Sequence, residues 1–169
     1  MTEMKVGKIF DDAFISISKK LISLDLRRKK EEIISVKCME FVKTKGKFNS
    51  TIICGFSSDI FDAIIIGMND GKMPSEDAPP TWSPTPRRWK LLSSEDEKVL
   101  YINEYVNIIC GRALSEINNR LGRTSRLTVP MMCSDKESID IDDSEMENEV
   151  LFYETEFGNI EVCIYYKII

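Results

Sequence analysis

Tyr101-Ile102-Asn103-Glu104-Tyr105-Val106-Asn107-Ile108-Ile109-Cys110-Gly111 reads as the middle of one long helix. Ser94 and Glu97 stand in Ser-x-x-Glu order, a capping box in which each side chain pairs an amide left open at a helix start. Gly122 supplies the next strong stop, because glycine takes the left-handed conformation that often closes a helix. The spacing therefore predicts a helix over 95–121, about 40 Å long. At about 100° per residue, Ile102, Val106, Ile109, Ala113 and Ile117 form one apolar stripe, flanked by Cys110 and Leu121. Leu100, Glu104, Asn107, Ile108, Gly111, Ser115 and Asn118 share the opposite wedge. Gly111 costs about 1 kcal/mol relative to alanine inside a helix. On an outward face, that cost points to a partner that must come close. A Glu-x-x-Asn pair on a solvated helix often serves solubility alone, so Glu104 and Asn107 gain weight only from their surroundings.

Working outward, Val6, Ile9, Phe10, Ala13, Phe14, Ile17 and Leu21 repeat at helical spacing and predict an amphipathic helix over 4–23. The basic cluster Arg27 to Lys30 reads as a solvated turn. Ile34, Val36 and Cys38 alternate as a strand, Gly46 marks a turn, and Phe48, Ser50, Ile52, Cys54 and Phe56 share one side of a second strand. Ser57 or Ser58 can cap a helix that runs to about Met68. Five of the six prolines, with Trp82 and Trp89, lie in 72–93, where regular structure is not expected. Leu127-Thr128-Val129-Pro130-Met131 is strand-like. Acidic residues crowd 134–149 without the glycine and glutamate order of a calcium loop, so a solvated loop is expected there. Val150 to Phe157, a Gly158-Asn159 turn, and alternating Ile160, Val162, Ile164, Tyr166 and Ile168 predict a closing hairpin. The elements sum to an α+β fold, a mostly antiparallel sheet with helices packed on one side, in one domain over 1–169.

Composition limits the function classes. A net charge of −5 and the lack of a basic stripe argue against nucleic acid as a partner. No apolar run is long enough for a membrane span and no leader is evident, so the expected location is cytoplasmic. Five irregularly spaced cysteines point to reduced thiols, with Cys54, Cys110 and Cys163 as small core residues. The chain has no histidine and no Cys-x-x-Cys pair. Histidine-dependent triads and the common zinc sites are excluded, and no metal site is expected.

Glu104-x2-Asn107-x22-Pro130 resembles the signature of the CheC, CheX and FliY family of chemotaxis phosphatases, the CheX branch above all. In that branch, a single Glu-x2-Asn helix follows a strand and a shorter helix, an order similar to that of Ile52 to Phe61 here. The run Asn107-Ile108-Ile109-Cys110-Gly111-Arg112-Ala113 also resembles the family's helix. The motif covers about residues 48 to 132, and the order of elements extends the likeness to both ends. The resemblance implies hydrolysis of the aspartyl phosphate on a CheY-like response regulator in two-component signalling. Asn107 would hold a water in line with phosphorus, and Glu104 would pair with the receiver's lysine. Leu100, Ile108, Gly111 and Ser115 would form partner contacts, and Pro130 would shape the neighbouring strand. The chain would bind no cofactor itself, the receiver supplying Mg2+. A homodimer through sheet edges is expected, with the C-terminal strand as one candidate edge. The 72–93 stretch would be an insertion, the family connection being short. The family usually carries aspartate or serine where Leu100 stands, which keeps a non-catalytic receiver-binding module as the alternative. A second Glu-x-x-Asn, Glu116 with Asn119, is set aside because Glu116 is rotated about 120° from Glu104 toward the buried flank.

Overall fold

The computed structural model describes residues 3–30, 36, 38–70, 95–141 and 145–169. In chain order these form α1 (Val6–Ile22), β1 (Arg27–Lys29), β2 (Cys38–Lys45), β3 (Phe48–Phe56), α2 (Ser58–Asp70), α3 (Glu95–Leu121), β4 (Arg126–Leu127), β5 (Met131–Cys133), a 3-10 turn (Lys136–Ser138), β6 (Glu147–Thr155) and β7 (Gly158–Ile168). The sheet runs β1-β6-β7-β3-β2-β4, with β5 also paired to β2, and every described pairing is antiparallel. This is the expected α+β layout. The Ser94 capping position and the 72–93 stretch lie outside the described residues.

Alternation along the strands divides the molecule into layers. Val42, Ile52, Ile164 and Leu151 face inward and pack with the buried sides of α1, α2 and α3 in one core. On the opposite sheet face, Ile53 and Cys163 pack with Ile139. The segment after β5 is therefore built as well as solvated. Asp135 accepts from the Ser138 amide at 2.7 Å, and Lys136 pairs with Glu161 at 2.8 Å, seating Ile139 against the sheet.

Four further positions depart from the sequence expectations. Arg27 to Lys29 form an edge strand rather than a turn, with Arg28 beside Asp11 at 3.2 Å and Lys29 beside Glu154 at 2.8 Å. Charged side chains suit an edge because they discourage pairing with a foreign strand. The first long strand runs Cys38–Lys45 with Glu40, Val42 and Thr44 inward, later than the Ile34-Val36-Cys38 alternation predicts; Val36 precedes it and Ile34 lies outside the described residues. Two polar residues at core positions hide its period. β6 begins at Glu147, within the acidic run, because its carboxylates have partners. Tyr166 donates to Glu147 at 2.9 Å and to Glu149 at 3.2 Å, and the Gly7 amide donates to Glu149 at 3.0 Å. An anion at the start of α1 also meets the positive end of its dipole. Finally, β7 is hydrogen-bonded on both sides, to β3 and β6. The sheet edges are therefore β1 and the β4–β5 side, not the C-terminal strand.

Several polar groups inside the core are paired with one another or with the backbone. Thr44 Oγ1 donates to the Phe48 carbonyl at 2.9 Å and lies 2.7 Å from Ser50 Oγ, closing the β2–β3 hairpin from within. Gly46 turns this hairpin at φ 138°, and a Cβ there would stand 2.8 Å from Ser125 Cα. Ser18 Oγ and Tyr105 Oη meet at 2.7 Å between α1 and α3. That contact fixes how α3 is rotated, and thus which residues it presents outward.

Candidate functional site

Helix α3 is held on its inner side by Ile102, Tyr105, Val106, Ile109, Cys110, Ala113, Leu114 and Ile117, all buried. Tyr105 and Leu114 widen the stripe that periodicity predicts. Tyr105 can be buried because Ser18 satisfies its hydroxyl. With this face fixed, Glu104 and Asn107 are both exposed, one helical turn apart. Leu100 precedes them by one turn and is 64% exposed. Exposed leucine on a helix already supplied with a full core stripe is available for contact.

A second wall faces these residues. After α3, the chain turns at Gly122 with φ 62° and is tied back to the helix. The Ser125 amide donates to Asn118 Oδ1 at 2.8 Å, and Asn118 Nδ2 donates to the Ser125 carbonyl at 3.1 Å. Ser125 Oγ in turn accepts from the Phe48 amide at 2.9 Å. Farther along, the Thr128 amide donates to the Lys43 carbonyl at 2.8 Å and the Lys43 amide to Thr128 Oγ1 at 2.9 Å. These bonds bring Leu127, Thr128, Val129 and Pro130 opposite Leu100, Asn103, Glu104 and Asn107, enclosing a cleft of about 340 Å3. Pro130 is buried at its base, whereas Val129, 77% exposed, and Met131, 57% exposed, stand at the surface. The result is a carboxylate and a carboxamide between apolar rims.

Of the residues singled out in sequence, Leu100, Glu104, Asn107 and Pro130 come together in the cleft. Ile108, Gly111 and Ser115 lie along α3 outside it, half-buried, half-buried and exposed respectively. A Cβ on Gly111 would meet nothing within 4 Å, so no packing inside the chain requires glycine there. Asn118, in the same outward wedge, serves the Ser125 turn instead. Glu116 is exposed and paired with Arg120 at 2.8 Å; this engages it within α3, and it does not approach the buried flank. The sequence reading missed Asn103 and the Leu127–Val129 wall. Only the spacing to Pro130 signalled that wall.

Beneath the cleft, burial pushes the Glu40 carboxyl up to about 8, since an ion without compensating partners is costly in the interior. Burial likewise pushes the Cys54 and Cys110 thiols well up, which makes them poor nucleophiles. None of the five cysteines is in a disulfide. Among the described residues, no group of three or more His, Cys, Asp or Glu side chains is placed to hold a metal ion, and no helix is long and apolar enough to cross a membrane.

Known structures share this arrangement of elements. The CheX chemotaxis protein of Vibrio vulnificus superposes with a TM-score of 0.69 at 15% identity, over 97% of this chain and 97% of that one. The chain has a CheX-type fold. The likeness extends to a CheX-CheY-BeF3-Mg+2 complex from Borrelia burgdorferi, with a TM-score of 0.69 at 16% identity over 98% of this chain and 99% of that one. FliY of Thermotoga maritima matches more loosely, with a TM-score of 0.57 at 15% identity over 98% of this chain and 91% of that one. No family model matches the sequence, and no curated protein matches it significantly. In this CheX-type fold, the Glu104–Asn107 face of α3 and the Pro130 segment are neighbours in space as well as partners in a spacing pattern.

Proposed function

We propose that this chain is a phosphatase for the aspartyl phosphate of a CheY-like response regulator in chemotaxis or a related two-component pathway of the cytoplasm. The observation that carries the reading is the exposed Glu104–Asn107 pair, one turn apart over a cleft whose far wall ends at Pro130. The CheX-type fold supports it.

In this mechanism the receiver brings the phosphoaspartate and Mg2+, and this chain brings no cofactor. Asn107 enters the receiver's site. Its carboxamide can accept from a water and donate to a phosphoryl oxygen together without becoming charged, so it can hold that water in line with phosphorus. The water oxygen forms a bond to phosphorus, the bond from phosphorus to the aspartate oxygen breaks, and the products are inorganic phosphate and a free carboxylate. Glu104 pairs with the receiver's lysine, an anion meeting a cation at a fixed distance from Asn107. Leu100 and Val129 close over the partner from either side, Ile108 adds apolar contact, and Gly111 and Ser115 allow close approach. A second copy joined edge to edge would use β1 or the β4–β5 side, because β7 is already paired on both of its edges.

The test follows phosphate loss from a phosphorylated CheY-like receiver with Mg2+, comparing the native chain with Asn107→Ala and Glu104→Ala. The native chain should accelerate the loss, and Asn107→Ala should reduce that acceleration by about 10²-fold, the scale for removing one preorganised polar group. Tight binding without acceleration would instead make the chain a receiver-binding module. Leu100, which stands where the family usually has aspartate or serine, is the specific feature that favours this second reading.

A further inference from the structure

Glu40 is fully buried on β2, at an inward position beneath α3. Its cross-strand neighbours are Cys54 on β3 and Met132 on β5. Above it, the Asn103 carboxamide faces Glu40 Oε1 and the Val99 carbonyl, both acceptors, so its orientation is assigned with the nitrogen toward them, donating to Glu40 Oε1 and, at 3.3 Å, to the Val99 carbonyl. Glu40 Oε2 is buried without a hydrogen-bond partner among the described residues. The surrounding titratable groups are Cys54 on β3, Cys110 on α3 and Cys133 on β5, each raised further by Glu40. No cation among the described residues offsets the acid. Burial pushes the Glu40 carboxyl up to about 8, which favours its uncharged form at neutral pH.

Asn103 has a second face. It lines the cleft, immediately before Glu104 and one turn before Asn107. A single carboxamide thus joins a buried acid to the outward site. An anion at Glu40 would need donors that thiols and apolar neighbours supply poorly, and water entering between β2 and α3 is the remaining source.

We propose that Glu40 and Asn103 form a proton-dependent seat for the cleft. The uncharged acid suits its donor-poor site beneath Asn103 and leaves undisturbed the α3 turn that carries Glu104 and Asn107. Loss of the proton creates an anion whose Oε2 has no donor among the described residues, draws water in between β2 and α3, and so displaces that turn and weakens engagement of a receiver domain. Glu40 is then a positioning residue, touching the site only through Asn103. The consequence for binding rests on the receiver-directed function proposed above. The seat itself does not.

Two measurements keep these apart. In the free protein, the Asn103 side-chain amide and the Glu104 and Asn107 backbone amides are followed by NMR across pH 6 to 10. They should shift together with a midpoint near 8 in the native chain, and Glu40→Gln, which preserves shape but cannot ionise, should abolish that shift. Asn103→Ala should leave Glu40 titrating while uncoupling the Glu104 and Asn107 amides. Affinity for a receiver loaded with beryllofluoride and Mg2+ is then measured at pH 7 and pH 9. The native chain should lose about tenfold more affinity than Glu40→Gln, matching the fall in the uncharged fraction of one such acid. Equal pH dependence in the two proteins, or native amides that do not titrate, overturns the seat. A receiver that fails to bind at pH 7 overturns the proposed function, and the NMR comparison still decides the seat.

Discussion

Replacing Asn118 with alanine tests how the cleft acquires its second wall. Asn118 makes two hydrogen bonds to the backbone of Ser125, at 2.8 and 3.1 Å, and Ser125 is only 3% exposed. Alanine would remove both bonds and leave an amide and a carbonyl with poor access to water. A made hydrogen bond contributes about 1 kcal/mol net, and a buried group left unpaired costs about 1–3 kcal/mol. Together these give a loss of about 2–3 kcal/mol, or roughly 4–12 °C in Tm for a chain of this size. Urea unfolding followed by circular dichroism reads it as a lower midpoint at unchanged slope. Asn118→Asp keeps the acceptor for the Ser125 amide and loses the donor, so it should fall between. Receiver affinity should drop as well, although Asn118 does not line the cleft, because the Thr128–Pro130 wall follows Ser125 in the chain. A stability loss under about 0.5 kcal/mol, the range of an unconstrained surface change, would refute the account of the wall.

Two further substitutions separate stability from function. Gly111→Ala should stabilise α3 by up to about 1 kcal/mol, since the added methyl meets nothing within 4 Å and alanine is the better helix former; calorimetry should show the gain while receiver binding weakens, and unchanged binding would remove Gly111 from the partner surface. For Glu40, the folded-state value of about 8 lies above the ordinary 4.5, so the folded chain holds a proton that the unfolded chain releases between those values. Its contribution to stability is fully present below about pH 4.5 and is lost as pH rises to about 8, by on the order of a few kcal/mol. Denaturant titrations of the native chain and Glu40→Gln over that window should diverge as pH rises, and parallel curves would contradict a buried acid.

The inward faces of α1, α3 and β7 could be read from periodicity because their core positions are almost wholly apolar. β2 could not, since an acid and a threonine occupy its inward positions and are tolerated only through partners distant in sequence or by giving up charge. β1 was hidden for the opposite reason, three basic residues carrying no alternation at all. At the site, Leu100, Glu104 and Asn107 were legible because a filled core stripe on α3 forces them outward. The facing wall was not, beyond the spacing to Pro130, because Ser125 and Thr128 are placed by bonds to α3, β2 and β3 that no local pattern encodes. Asn118 illustrates the limit well: its position on the helical wheel is outward, yet its hydrogen bonds turn it to the chain that follows.

The pairing of β3 with β7 has a consequence for the order in which the protein forms. Each outer hairpin, β2–β3 and β6–β7, closes locally, but the register Ile52 to Ile164 joins residues more than a hundred positions apart. Such contacts are slow to form, because the entropy of closing the intervening chain is lost before any contact is gained. Both cleft walls belong to that intervening chain, while the sheet that carries them is completed only when the C-terminal hairpin docks. During synthesis, a chain that has emerged through Pro130 already contains every residue of the cleft but lacks β5, β6 and β7, the three strands that finish its support. Competence to engage a partner should therefore arrive late and in one step, with the last strand. A nascent chain would be kept from occupying a partner before its own fold is complete.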